Sequence, residues 1–267
     1  MTRIVGIVNV TPDSFSDGGN VHNARDVIAY AHRLIEEGAD VIDLGAESTR
    51  PHATPLSAEE EWARLQPVLP EIRTMTRAAG VLLSIDTRHP GTVGKAISLG
   101  VDWINDVSGF GDPAMIEAVR ESSCTLVMMH SLSIPAEASV TISASADPVA
   151  VVKSFFNERL SVLRNHNIEE NRIILDPGIG FGKTAMQSLA LILRCEELKE
   201  LGHPLLFGHS RKSFLTLFTD KPAGERDDLT LAFSALLWQQ GIGYLRVHNV
   251  PRHRALIDTI MAGMQHR

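Results

Sequence analysis

The chain has 267 residues, 44% hydrophobic and 21% charged, with a formal net charge of −7 at pH 7. That composition suits a globular domain with a large core, and the negative balance argues against nucleic acid as the main partner while leaving room for a local basic pocket. Only two cysteines occur, Cys124 and Cys195, neither in a CxxC pair nor beside histidines at zinc spacing, so buried free thiols are expected rather than a disulfide scaffold or zinc site.

Met1-Thr2-Arg3-Ile4-Val5 leads straight into an apolar run, without a basic-then-apolar leader. No stretch of about 18 apolar residues occurs. The expectation is a soluble, cytoplasmic protein with no membrane partner. Ile4 to Val8 reads as a buried strand, and the long polar connection Asn9 to Gly19 hints at a functional loop. Ala24 to Glu37 has helical spacing and stops at Gly38. Val41 to Leu44 is a second strand, followed by the loop Gly45-Ala46-Glu47-Ser48-Thr49-Arg50-Pro51. Ser57 with Glu60 forms a capping box for a helix to about Ala78, which Pro67 and Pro70 should kink or divide.

Val81 to Ile85 is the third strand, ending at Asp86. Pro90 opens a helix that ends near Gly100. Trp103-Ile104 is a short fourth strand ending at Asn105-Asp106, and Asp112-Pro113 caps a helix to about Ser122. Thr125 to Met129 is the fifth strand, ending at His130. Leu132 to Ala146, rich in Ser, Ala, Pro and Thr, has no clear periodicity and reads as the least ordered stretch. Asp147-Pro148 caps a helix to about His166. Arg172 to Leu175 is the sixth strand, handing Asp176 to the loop Pro177-Gly178-Ile179-Gly180-Phe181-Gly182-Lys183-Thr184. That loop resembles the end of a P-loop, but Pro177 stands where the motif needs its first glycine. Met186 to Leu201 is a helix, Pro204 to Phe207 the seventh strand, Phe214 to Phe218 a short extra helix, and Asp228 to Gln240 the main helix after it. Tyr244 to His248 is the eighth strand and Pro251 to Met264 the last helix.

Eight short apolar strands, each followed by a helix, make a TIM (β/α)8 barrel the expected fold, as a single domain over residues 1–267. An open doubly wound sheet is the alternative, but its GxGxxG signature after the first strand is missing. In a barrel the site lies at the C-terminal ends of the strands. Those ends carry Asn9, Asp43 and Glu47, Asp86, Asn105 and Asp106, His130, Asp176, Ser210 with Lys212, and Arg246 with His248. So many polar groups at one mouth imply a polar ligand, since each one buried without a partner costs about 1–3 kcal/mol. Asp86, Asn105 and Asp176 suit the donor-rich edge of a heterocycle. Arg50, Arg211, Lys212, Arg246 and His248 suit an anion such as phosphate. Asn9 offers a neutral oxygen of the kind magnesium takes when it also holds phosphate.

The segment Gly6-Ile7-Val8-Asn9-Val10-Thr11-Pro12-Asp13-Ser14-Phe15-Ser16-Asp17-Gly18-Gly19 resembles the N-terminal signature of the dihydropteroate synthases. Asp43 to Pro51 resembles their second signature. Ser84 to Thr87, Ile104 to Gly109, Asp176 to Lys183, Ser210 to Ser213 and Arg246 to His248 also match, in family order, over residues 4 to about 250. The resemblance implies condensation of 6-hydroxymethyl-7,8-dihydropterin diphosphate with p-aminobenzoate, giving 7,8-dihydropteroate and pyrophosphate in folate biosynthesis.

Carried over by position, the resemblance assigns catalysis to Asp86, Asp176 and Lys212. It gives the pterin to Asp86, Asn105, Asp176, Lys212, Phe181 and Met128, and the diphosphate to Asn9, Thr49, Arg50, Arg246 and His248. Phe15, Thr49, Pro51, Ser210 and Lys212 would shape the p-aminobenzoate pocket, and Asn9 would ligate Mg2+. A homodimer and sensitivity to sulfonamides are further implications. Two departures stand out. The family's Met-His-Met after the fifth strand reads Met128-Met129-His130-Ser131 here, and its His-Asp after the eighth reads His248-Asn249. Two rival readings are a pterin-dependent methyl-transfer domain, which would lack the anion-binding loops, and a silent pterin-binding barrel, which would have lost Asn9 or Lys212.

Overall fold

The computed structural model describes residues 2–10, 24–48, 54–137 and 139–265. Strands β1 (Arg3–Asn9), β2 (Val41–Gly45), β3 (Leu82–Asp86), β4 (Trp103–Asp106), β5 (Thr125–Met129), β6 (Ile173–Asp176), β7 (Leu206–Phe207) and β8 (Tyr244–Val247) form one parallel sheet in the order β6-β5-β4-β3-β2-β1-β8-β7. A parallel bridge between Leu175 and Leu205, with the Leu175 amide donating to the Pro204 carbonyl at 2.9 Å, brings the two edges together. The sheet is therefore a nearly closed eight-stranded barrel with helices between its strands, as the strand count predicts.

The helices are α1 (Ala24–Glu36), α2 (Ala58–Leu65), α3 (Leu69–Ala79), α4 (Pro90–Ser98), α5 (Pro113–Arg120), α6 (Pro148–Asn165), α7 (Ala185–Leu193), α8 (Cys195–Lys199), α9 (Asp227–Gln239) and α10 (Val250–Gln265). Their starts follow the predicted capping chemistry. Ser57 and Glu60 make the reciprocal capping box of α2. Asp112 and Asp147 cap α5 and α6, each with a proline in the first turn. The prolines at 67 and 70 divide the second helical region into α2 and α3, with Pro70 in the first turn of α3.

Two expectations need correcting. The helix predicted over Met186–Leu201 is two pieces broken at Arg194, whose guanidinium bonds Asp147 at 2.8 and 2.9 Å and Glu197 at 2.7 Å. Neither Gly nor Pro marks that break. The aperiodic stretch after β5 is packed against the barrel: Ile142 and Ala136 are buried, and the Ile142 amide donates to the Gly182 carbonyl at 3.0 Å.

Strand alternation sorts the side chains into two sets. Ile4, Val8, Ile42, Leu44, Leu83, Ile85, Ile104, Leu126, Ile173, Leu175, Phe207, Leu245 and Val247 belong to the large core between strands and helices. Val5, Val41, Leu82, Trp103, Val127, Ile174, Leu206 and Tyr244, one from each strand, pack together inside the barrel. This apolar plug closes the barrel at the N-terminal side, so any ligand must enter from the other end.

Candidate active site

Two residues further along each strand, the same inward face delivers Ile7, Asp43, Ser84, Asn105, Met129, Asp176, Gly208 and Arg246. Asp86 lies two beyond Ser84. A single cleft opens there, about 370 Å3 including its mouth, lined by Asp86, Asn105, Val107, Met129, Asp176, Gly178, Ile179, Phe181, Gly208, Lys212 and Arg246. The apolar plug thus raises a layer of polar side chains to the level of the mouth.

Arg246 organises one wall. Its Nε donates to Asp43 at 2.6 Å and its Nη2 to Asp86 at 2.8 Å, while the Asn105 amide donates to Asp43 at 3.2 Å. Burial works against the Arg246 charge, but Asp43 and Asp86 outweigh it and hold the guanidinium charged. Two carboxyls against one cation leave an acid in excess. Burial, partly offset by Arg246 and reinforced by Asp43, pushes Asp86 up to about 7. Asp176, across Gly208 from Arg246, is also pushed up by burial, to about 6, against the Gly178 amide, which donates to it at 2.8 Å, and the cations Lys212, Arg246 and Lys183. Two such carboxyls, close to ionising and facing one cavity, fit a ligand that brings hydrogen-bond donors.

The loop after β6 forms the third side. Phe181 lies under the Lys212 ammonium, 4.2 Å from Nζ to the ring centre, a cation–π contact. Gly178 has φ +68°, and a β-carbon there would lie 1.9 Å from the His130 carbonyl oxygen. Only glycine lets this loop sit against the end of β5.

The chain matches the family model described as pterin binding enzyme over residues 5–248. A dihydropteroate synthase type-2 of Escherichia coli is 39% identical over 92% of this chain and 90% of its own length. The crystal structure of dihydropteroate synthase from Anaplasma phagocytophilum, with bound 6-hydroxymethylpterin-monophosphate, superposes with TM-score 0.89 at 39% identity, covering 97% of each chain. The chain belongs to the dihydropteroate synthase family. That of Burkholderia cenocepacia, complexed with 7,8-dihydropteroate, has TM-score 0.86 at 34% identity, covering 100% of this chain and 94% of that one. The chain also matches probable bifunctional folylpolyglutamate synthase/dihydropteroate synthases of haloarchaea, of which it spans about a third: 30% and 31% of their lengths.

Within this barrel, Asp86, Asn105, Asp176, Phe181, Lys212 and Arg246 meet in the cleft. Met128 does not. It is fully buried in the core beneath the helices, and Met129, one residue on and so on the other face of β5, lines the cleft instead. Arg246 is turned onto Asp43 and Asp86, a role as wall of the cleft that the anion assignment did not include. Ser210 and His248 stand just beyond β7 and β8 and share a hydrogen bond of 2.9 Å. Asn9 ends β1 half-buried, paired with Gly45, which is in turn paired with Asp86. Phe15, Thr49, Arg50 and Pro51 lie outside the described residues.

Other polar strand ends turn out to be framework. Arg211 is held by Asp227 at 2.6 and 2.8 Å and is not among the cleft residues. Asp106 accepts the Ser108 amide and hydroxyl and the Phe110 amide, at 2.6–2.8 Å, and so shapes its own turn. His130 is buried against Phe155 and bonded to Lys183. Asn249, where the family has Asp, donates to Asp227 at 2.9 Å. Asp43 and Lys183 were given no role from sequence. An acid at an inward barrel position needs a cation, and Arg246, two residues beyond Tyr244 on the same face, was the available signal.

Glu47, at the start of the second signature loop, accepts the Leu56 amide at 2.9 Å and Arg88 Nε and Nη2 at 2.8 and 2.9 Å, tying Glu47 and Leu56 to the segment after β3. Glu47, Glu61 and His89 each place an atom within 4.8 Å of the others. Arg88 neutralises Glu47, while Glu61, fully buried, accepts the Thr87 hydroxyl at 2.6 Å. For a magnesium–phosphate group Asn9 offers a neutral amide oxygen at the end of β1, which would leave the remaining positions to substrate phosphate and water.

Proposed function

We propose that this chain condenses 6-hydroxymethyl-7,8-dihydropterin diphosphate with p-aminobenzoate, releasing pyrophosphate and forming 7,8-dihydropteroate. The observation that carries this reading is the cleft itself: Asp86, Asn105 and Asp176 with Lys212 and Arg246, in a chain whose relatives of similar length are named dihydropteroate synthases. The carboxyl of Asp176 and the Asp86–Asn105 wall accept from and donate to the pterin edge. As the C–O bond to diphosphate weakens, positive charge grows on the pterin methylene, and ionised Asp176 stabilises it. Asn9 would hold Mg2+, which neutralises charge on the departing diphosphate. Thr49, Arg50 and His248 would hold that anion from the protein side. Phe15, Pro51, Ser210 and Lys212 would orient p-aminobenzoate, whose amine is nucleophilic near neutral pH and needs no general base. Sulfonamides, as mimics of that substrate, should compete with it.

A cytoplasmic homodimer is the proposed assembly. Both cysteines are buried free thiols, as expected in a reducing compartment, and no helix among the described residues is long and apolar enough to cross a membrane. The deciding test is pyrophosphate release from purified protein with the dihydropterin diphosphate and magnesium, with and without p-aminobenzoate. Release that requires p-aminobenzoate and yields dihydropteroate is expected. Pterin binding without release would leave a silent binding barrel instead.

A further inference from the structure

Gly182-Lys183-Thr184 ends the loop after β6 as a phosphate-binding loop would end, yet Lys183 is 6% exposed and does not line the cleft. Its Nζ reaches His130 Nδ1 at 2.8 Å, the His130 carbonyl at 3.2 Å and the Phe181 carbonyl at 2.7 Å. Three acceptors use the three protons of an ammonium group, leaving none for a phosphate. Thr184 is equally committed, capping α7 through the Gln187 amide at 3.2 Å.

We propose that Lys183 is a positioning residue for the reaction: it fixes the loop after β6 to the end of β5, setting the Phe181–Lys212 platform and supplying from behind the cleft wall part of the positive field at Asp176. This rests on the reading of the cleft as a pterin site. The Phe181 carbonyl is one of the atoms Lys183 holds, and the Phe181 ring carries Lys212. The same loop gives Gly178, whose amide donates to Asp176. Lys183 thus touches the backbone that places the two groups expected to meet pterin and p-aminobenzoate.

The charges facing Asp176 are Lys212, Arg246 and Lys183. Lys212 and Arg246 line the cleft, whereas Lys183 acts on Asp176 from outside it. Those facing Lys183 are Asp176, which favours its charge, and Lys212, which opposes it; burial dominates and lowers it to about 7. His130 is driven down to about 3 by burial and by Lys183, so it stays neutral and its Nδ1 accepts. Removing the ammonium therefore raises Asp176 further and narrows the pH range in which it is ionised.

Lys183→Met keeps the length of the side chain and removes the charge. Three readouts are expected to move together. Calorimetric binding of the dihydropterin diphosphate should lose its acid limb at higher pH than in the parent, by about half a unit or more. The acid limb of kcat/KM should move the same way. KM for p-aminobenzoate should rise about tenfold, equivalent to about 1.4 kcal/mol, and more than KM for the pterin. The ratio of affinities for pterin diphosphate and for the pterin alcohol should stay at the parental value. A fall in that ratio would show Lys183 binding phosphate and overturn the proposal, as would an unmoved acid limb. If Lys183→Met does not fold, Lys183→Arg keeps the charge: a parental acid limb with a raised KM for p-aminobenzoate supports the proposal, and a displaced limb overturns it. A parent that binds pterin without turnover defeats the synthase reading, while the binding limb still tests Lys183. A parent that does not bind pterin defeats both.

Discussion

Asp86 carries the cost of the cleft at the scale of single residues. Its carboxyl is buried beside Asp43, with one guanidinium between them, and is held well above its ordinary 3.8 for that reason. A carboxyl whose folded pKa is raised gives stability that is present below the unfolded value and lost as pH rises through the folded one. Unliganded protein should therefore lose stability between about pH 4 and pH 7 from this group. Asp86→Asn removes the excess acid. Its melting temperature should equal or exceed the parent's, with the difference growing as pH rises from about 4 to about 7, while kcat/KM falls by orders of magnitude. Thermal melts and turnover on the same preparations check this. A variant that melts well below the parent would show that Asp86 serves the fold rather than the ligand.

The loop after β6 and the end of β5 behave as one unit at the scale of elements. Gly178 rests on the His130 carbonyl, Gly182 on the Leu132 side chain, and Lys183 bridges the same two segments. Gly178→Ala places a β-carbon where a backbone oxygen already sits, at a φ that costs a non-glycine residue about 1–2 kcal/mol by itself. The loop must move, the Gly178 amide must leave Asp176, and pterin affinity should fall at least tenfold with a lower melting temperature. Parental affinity measured by calorimetry would mean that this loop does not set the pterin site. How much of this unit could be read beforehand differs by residue. Asp176 and the glycines announced a loop lying against something, and Asp86 and Asn105 marked the inward face of their strands. Leu126-Val127-Met128-Met129 is apolar throughout, as parallel strands buried on both faces are, so its composition does not mark which face is which. The resemblance assigns Met128 to the pterin by position, and nothing in the strand's composition moves that assignment one residue on to Met129. The ammonium of Lys183 was hidden for the opposite reason: a lysine in a glycine-rich loop suggests an anion, and only the fold shows it buried against His130.

The barrel brings its chemistry to one end and leaves an apolar surface elsewhere at the scale of the whole molecule. Fold class, strand count and helix caps were legible because alternating apolar runs and capping residues are local signals, and closure of the barrel follows from their number. Association is not local in this way, and it reaches the surface only as side chains with nothing over them. Four of the large hydrophobics exposed among the described residues are Met186 and Leu193 on α7, with Leu217 and Phe218 at the end of the short 3-10 helix Ser213–Leu217 that packs against α7. Grouped apolar exposure of this kind suits an interface between copies of the chain, where a stable dimer would bury about 800 Å2 on each partner. Met186→Glu together with Phe218→Glu puts two charges on that face, at positions 63% and 51% exposed, and gives up the Phe218–Phe233 ring contact, so the monomer should stay folded with a slightly lower melting temperature. Sedimentation velocity should show a dimer for the parent and a monomer for the double variant. Asp86, Asn105, Asp176, Lys212 and Arg246 meet in the cleft within this chain, so the monomer should still bind the dihydropterin diphosphate with parental affinity. A variant that remains dimeric would place the interface elsewhere, and a monomer that loses pterin binding would show that the second copy supports the site.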